Sequence, residues 1–216
     1  MPNTSAHAPF APRGMVLGPG GTLYVADFGR DNIGRIETYN VSTGKFQGNL
    51  NFDEFSNSAV SNGEFHPRGL VFGPDGGLYI TLFSEKNFPL FGWVLRYDLA
   101  TGGVSVVANN GPTASAATDC TPHLNAPEGL AFGPDGRLYV ATLRATPDDV
   151  DRVLVLSPTT GRCLDTIELY RPGELRVRAH AIVFGPGGSL FVPLDASASD
   201  GSVTPPQRAA SGAIRR

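Results

Sequence analysis

The sequence predicts an all-β chain, a β-propeller of four-stranded antiparallel blades with about three and a half blades present, so that the array is incomplete or open. Three observations predict it. One phrase occurs four times: PRGMVLGPGGTLYVA from Pro12, PRGLVFGPDGGLYIT from Pro67, PEGLAFGPDGRLYVA from Pro127 and AHAIVFGPGGSLFVP from Ala179. A second phrase follows the first three copies, as GRIETYNVSTGKF from Gly34, GWVLRYDLATGGVSVVA from Gly92 and DRVLVLSPTTGRCLDTI from Asp151. Glycine and proline, 27 and 18 of the 216 residues, also interrupt the chain too often for a helical apolar stripe to persist.

Each first phrase holds two short runs of branched and aromatic residues split by Gly-Pro-Asp/Gly-Gly. Proline presets one turn position and glycine supplies the positive φ that another requires, so each copy is a tight hairpin. The marker glycines Gly18, Gly73, Gly133 and Gly185 recur at intervals of 55, 60 and 52 residues. In the second phrase Thr43-Gly44, Thr101-Gly102 and Thr160-Gly161 turn a second hairpin between apolar runs. Two hairpins per repeat make a four-stranded blade, and such blades fan around a central channel.

Taken in order, residues 1–10 form a loose lead-in and residues 11–216 a single propeller region. Its blades span approximately 11–64, 65–124, 125–177 and 178–216, the last incomplete. Gly212 to Arg216 matches the opening of the second phrase, but no Thr-Gly turn follows it. An unclosed array exposes a sheet edge. The expectation is either a fragment of a longer propeller, the favoured reading, or self-association through the open blade edges. Long polar connectors, Asn51 to Glu64 and Asn109 to Asn125, link the blades. Links within blades two and three, Leu82 to Phe91 and Leu143 to Val150, join their two hairpins, and the corresponding link of blade four, Leu194 to Ser211, is longer and rich in Ala, Ser and Pro. Such loops carry binding function on a rigid scaffold.

Composition limits the partners. A net charge of −3, with no basic patch, argues against nucleic acid and anionic membranes. No apolar run has the length of a membrane span, and residues Met1 to Phe10 lack the regions of a signal peptide. Cys120 sits in a connector near one face, while Cys163 follows a Thr-Gly turn at the other. A disulfide needs Cα atoms within about 7 Å, so two free thiols are expected.

The four copies of P-x-G-[LM]-x-[FL]-G-P-[DG]-G-x-L-Y-[VI]-[AT], with the trailing I-x-R/L-x-Y-x-x-x-T-G, resemble the NHL-repeat and gluconolactonase-like propeller superfamily. That group includes regucalcin-type lactonases and virginiamycin B lyase-like proteins, and the resemblance covers residues 11–216. It implies that the residue between Pro and Gly lies at the channel mouth. Here those positions are Arg13, Arg68, Glu128 and His180. In the lactonases the slots supply a Glu, an Asn and an Asp to a divalent metal, and of the four residues here only Glu128 offers that chemistry.

Two readings of the mouth follow. Arginine is a planar fork for carboxylate or phosphate, so Arg13, Arg68 and His180 are candidates to bind a small anionic ligand, with Glu128 fixing its orientation. A plainer reading has Arg68 or Arg13 pairing Glu128 to brace the mouth. The resemblance also extends to peptide-amidating lyases, which bind zinc through histidines of successive blades. Glu128, His66, His123 and His180 are therefore the candidate ligands for a divalent cation, calcium or zinc. The stretch Asp195 to Gly201 is a flexible solvated loop rather than a calcium loop, since it lacks the closing Glu. Asn3-Thr4-Ser5 and Asn40-Val41-Ser42 match the glycosylation triplet. No G-x-S-x-G nucleophile motif is present. Tyr24, Tyr79, Tyr139 and Phe191 recur in one slot and read as inter-blade packing, while Asp75 and Asp135 read as turn formers.

The expected function is therefore a binding or interaction propeller whose mouth receives a ligand or protein partner. The alternative is a metal-dependent lactonase-like hydrolase or lyase, with Glu128 and His180 as its catalytic candidates.

Overall fold

The computed structural model describes residues 7–30, 33–56, 64–84, 91–110, 123–171, 176–195 and 213–215. Blade one comprises β1 (Pro12–Leu17), β2 (Thr22–Asp27), β3 (Arg35–Asn40) and β4 (Phe46–Asn49), in that spatial order. A single helical turn, α1 (Asp53–Ser56), precedes blade two, which comprises β5 (Pro67–Phe72), β6 (Leu78–Ser84), β7 (Phe91–Tyr97) and β8 (Val104–Asn109). Blade three comprises β9 (Pro127–Phe132), β10 (Leu138–Thr142), β11 (Arg152–Leu156) and β12 (Cys163–Glu168). In blade four a broken inner strand, β13 (Arg178–Ala179) and β14 (Val183–Phe184), pairs with β15 (Leu190–Asp195), and β16 (Ala213–Arg215) pairs with β15 on its other side. All these ladders are antiparallel. The all-β, four-bladed propeller is the architecture the repeats predict.

The turn chemistry differs between copies according to one residue. Where the phrase carries Asp, as at Asp75, the carboxylate accepts from the Gly77 N–H at 3.2 Å and Gly76 takes the left-handed conformation, φ +75°. Where it carries Gly, at Pro19–Gly21 and Pro186–Gly188, the turn tightens into a short 3-10 segment. The outer hairpins close through Thr-Gly, with Gly102 N–H donating to the Asp98 carbonyl at 2.8 Å.

Strand alternation gives every blade two apolar faces, and each junction between blades holds its own core. Tyr24, Ala26 and Ile36 of blade one meet Leu70, Leu78, Ile80 and Trp93 of blade two. Tyr79 and Val94 meet Leu130, Leu138, Val140 and Leu154 at the next junction. Ala141 and Val153 meet Ile182, Val192 and Leu194 at the third. The recurring aromatic slot works as expected. Tyr24 lies edge-on to Phe72 at 5.3 Å, Tyr79 to Phe132 at 5.0 Å and Tyr139 to Phe184 at 4.8 Å. Burying one such leucine contributes about 1.5–3 kcal/mol, so the cores dominate the cohesion between blades.

The structure alters two local expectations. Residues from His7 onward are not loose but cover the outer part of blade one. The N–H groups of Phe10 and Ala11 donate to the two oxygens of Asp27, at 3.1 and 2.6 Å. His7 stacks on Phe46 at 4.4 Å, and its carbonyl accepts from the Tyr39 hydroxyl at 2.7 Å. Backbone donors facing a buried carboxylate are reason enough for order. The second concerns sulfur. Cys163 is disulfide-bonded rather than a free thiol. The chain's one other cysteine, Cys120, lies outside the described residues. A connector's anchor points do not decide which face its middle reaches, since about 3.3–3.6 Å per extended residue lets ten residues span a blade.

Candidate functional site

Each inner strand carries a bulge at P-x-G, and the bulge builds the site. In blade one Pro12 pairs Asp27 and Met15 pairs Val25, so Arg13 and Gly14 together oppose the single residue Ala26. Arg68 and Gly69 oppose Thr81 in the same way, and Glu128 and Gly129 oppose Ala141. In blade four the irregularity is larger and splits the strand between Ala179 and Val183, around His180. A bulge re-aims the side chain it displaces. Here it turns Arg13, Arg68, Glu128 and His180 onto one cavity of about 580 Å³, lined by the inner strands of all four blades.

Glycine follows the re-aimed residue because the next blade's backbone presses there. A Cβ on Gly14 would stand 2.3 Å from the Arg68 carbonyl oxygen, and one on Gly69 would stand 2.6 Å from that of Glu128. On Gly129 it would meet Ala181 Cα at 2.7 Å. Blade two adds a bolt: the Thr81 hydroxyl accepts from Gly69 N–H at 2.8 Å and donates to the Glu128 carbonyl. The corresponding residues of the other blades, Ala26, Ala141 and Pro193, have no such group.

The electrostatics of the mouth divide into two halves. On one side Phe28 is shared by both arginines, with Arg13 Cζ 5.6 Å and Arg68 Cζ 5.1 Å from its centroid. Arg68 Cζ also lies over the ring of Phe83, 4.3 Å from its centroid. Stacking fixes a guanidinium plane without consuming its N–H donors. On the other side His180 Nδ1 lies 3.8 Å from Glu128 Oε2, with the histidine half exposed and the glutamate nearly covered. At that separation the contact is an ion pair rather than a hydrogen bond. The facing Glu128 is the largest influence on His180 and holds its imidazole above the ordinary value of 6.5, with Asp195 assisting and burial opposing. Glu128 therefore pairs with His180 and not, as the sequence suggests, with Arg68 or Arg13. Blade two adjoins Glu128 as well, but Arg68 lies against the rings of Phe28 and Phe83 instead.

The histidines do not converge. His66 is fully buried and packs edge-on against Phe28 at 4.3 Å. His123 is held below its usual value, first by burial and then by the charge of Arg152. Neither lines the cavity that Glu128 and His180 share. No group of three or more metal-ligating side chains occurs among the described residues. The proposed zinc set is thus divided: Glu128 and His180 line the cavity, His66 lies in the core, and half-buried His123 lies outside the cavity. Residues 196–201 of the loop from Asp195, and the triplet Asn3 to Ser5, lie outside the described residues.

Sequence reasoning missed Phe28, Phe83 and Thr81. A signal for the aromatics existed, because Phe28, Phe83, Leu143 and Asp195 stand in the same place, two residues beyond each Leu-Tyr/Phe-x-x run. No helix among the described residues is long and apolar enough to cross a membrane.

The sequence matches no family model and no curated protein. Solved structures are similar in fold. A luciferin-regenerating enzyme aligns at TM-score 0.51 and 19% identity over 88% of this chain and 56% of its own. A Bacillus subtilis arabinanase aligns at 0.58 and 14% over 92% and 69%. An ulvan lyase aligns at 0.52 and 12% over 87% and 47%. The chain thus spans about half to two-thirds of the length of these propellers, and at such identities the likeness is one of fold.

Proposed function

We propose that the protein is a propeller binding module whose mouth holds a small carboxylate-bearing ligand of the sugar-acid class. One observation carries the reading. Arg13 and Arg68, from adjacent blades, stack on the shared ring of Phe28 beside the cavity, while the nearby carboxylate of Glu128 faces His180. Two oriented guanidinium forks suit a planar anion. The carbohydrate class rests on analogy: similar folds include arabinanases and an ulvan lyase solved with a GlcA-containing chain. The repeat phrases keep the chain, in this reading, beside the NHL-repeat and gluconolactonase-like propellers.

The test is calorimetric titration of glucuronate and acetate into the wild type and Arg68→Ala. A charge-assisted hydrogen bond contributes about 1.5–3 kcal/mol, so the variant is expected to bind at least tenfold more weakly. Equal binding would remove the arginine from the site.

A second reading, a hydrolase or lyase, is supported by the Glu128–His180 pair. A carboxylate beside an imidazole held above its ordinary value provides a base and a proton donor within one cavity. Turnover of lactones or uronate-containing oligosaccharides, lost in both Glu128→Gln and His180→Asn, would favour it. Binding without turnover would favour the first.

A further inference from the structure

A second cleft lies between blades two and three, at the opposite end of the strands from the mouth. The P-x-G bulges sit where the inner strands begin, whereas this cleft is built where they turn back. Asp75 and Tyr79 come from the inner hairpin of blade two, Arg96 and Val106 from its outer hairpin, and Thr159 from the β11–β12 turn of blade three. The cleft encloses about 370 Å³, and small-ligand sites run from about 300 to 1,000 Å³.

Its charged pair is peculiar to blade two. Arg96 Nε donates to Asp75 Oδ2 at 2.6 Å, and the Tyr79 hydroxyl donates to the same oxygen at 3.3 Å. Arg96 Nη1 lies 3.5 Å from Asp98 Oδ2, so two turns hold the guanidinium. It crosses over Gly77, where a Cβ would stand 2.6 Å from Nε. Blade three has Arg137 in place of Gly77 and Val155 in place of Arg96, while blade one has Gly20 for Asp75 and Thr38 for Arg96. The guanidinium has more N–H donors than these contacts use. Both side chains still meet solvent, Arg96 at 27% and Asp75 at 42% exposure. Beside the pair the lining turns apolar. Leu95 pairs Val106 and Val94 pairs Ala108, so Val107 is an extra residue of β8, and both valines line the cleft with Pro158.

Opposite charges tied together leave the lining without a net charge to attract an ion, yet they set acceptors and donors side by side. The hydroxyls of Ser105, Thr159 and Thr160 add to them. A sugar hydroxyl both donates and accepts, and the C–H face of a sugar ring suits an apolar strip. We propose that this cleft is a second binding site, independent of the mouth, for a neutral sugar. Neighbouring hydroxyls of the ring meet the Asp75–Arg96 pair, and its C–H face lies on Val106 and Pro158.

Amide NMR of the isotope-labelled protein, titrated separately with glucose, galactose, arabinose and glucuronate, tests it. At least one neutral sugar should move the amides of Ser105, Val106 and Thr159 along a common saturable curve, whether or not glucuronate moves those of Arg13 and His180 at the mouth. Arg96→Met keeps the aliphatic stem and removes the donors, so binding should weaken about tenfold. Thr159→Val replaces one exposed hydroxyl at nearly constant shape and should weaken it several-fold, with the rest of the spectrum unchanged. Cleft amides that none of the three neutral sugars moves would overturn the proposal. So would glucuronate binding there more tightly than every neutral sugar, which would make the cleft an anion site, or neutral-sugar affinity unaltered in both variants.

Discussion

His180 Nδ1 stands 3.8 Å from Glu128 Oε2, so the re-aimed residues of blades three and four form an ion pair across their junction. The contact couples the geometry of the cavity to the protonation of one imidazole.

That coupling has a sign. Because the imidazole is held above 6.5, the folded protein binds its proton more tightly than the unfolded chain does. The pair's contribution is complete below that value and is lost as pH rises through the folded-state value. Glu128→Gln should lower the His180 midpoint in an NMR titration, and the stability gap between wild type and variant should close as pH rises. An unmoved midpoint would show that the carboxylate is not the cause.

Two glycine substitutions separate packing from backbone conformation. Gly69→Ala directs a Cβ to 2.6 Å from the Glu128 carbonyl and should cost about 1–3 kcal/mol by forcing the blades apart. It should also shift the His180 titration. Gly76→Ala meets nothing within 4 Å but must keep φ near +75°, a cost of about 1–2 kcal/mol with no effect at the cavity. Urea denaturation and the same NMR titration read both.

Glu37 lies buried on blade one beside Tyr39, and burial pushes its carboxyl above the ordinary 4.5, with the Tyr39 hydroxyl opposing. A raised carboxyl favours the folded state when protonated, so this contribution is lost as pH rises through the folded-state value. Glu37→Gln should therefore gain stability relative to wild type between acid and neutral pH. Denaturation midpoints that run parallel across that range would refute this.

The disulfide of Cys163 should contribute about 2–4 kcal/mol. Thiol titration of the native protein should find no free sulfhydryl, and reduction or Cys163→Ser should lower the melting temperature alike. A stoichiometric free thiol would restore the sequence-based expectation.

Much of the blade plan is legible in the pattern of residues. Alternation along Leu-Tyr-Val-Ala and its copies marks strands with two buried faces, and Gly-Pro-Asp-Gly marks their turns. The slot of Tyr24, Tyr79 and Tyr139 shows inter-blade packing because repetition at one register implies one role. The slots of Arg13, Arg68, Glu128 and His180 are legible for the same reason, although the bulge that turns them onto a single cavity is not. Phe28 and Phe83 escaped notice because stacking on an arginine depends on distances between blades, which no local pattern encodes.

By itself the sequence determined the repeat, the order of strands within each blade and the residues that share equivalent positions, because periodicity of two and turn chemistry are local properties of the chain. Only the tertiary structure decided that Glu128 faces His180, that Arg13 and Arg68 share Phe28, and that His66 and His123 lie apart from the cavity. These contacts join residues on different blades. Their distances are set by how closely successive sheets approach, and that approach is limited by single Cβ atoms missing at Gly14, Gly69 and Gly129.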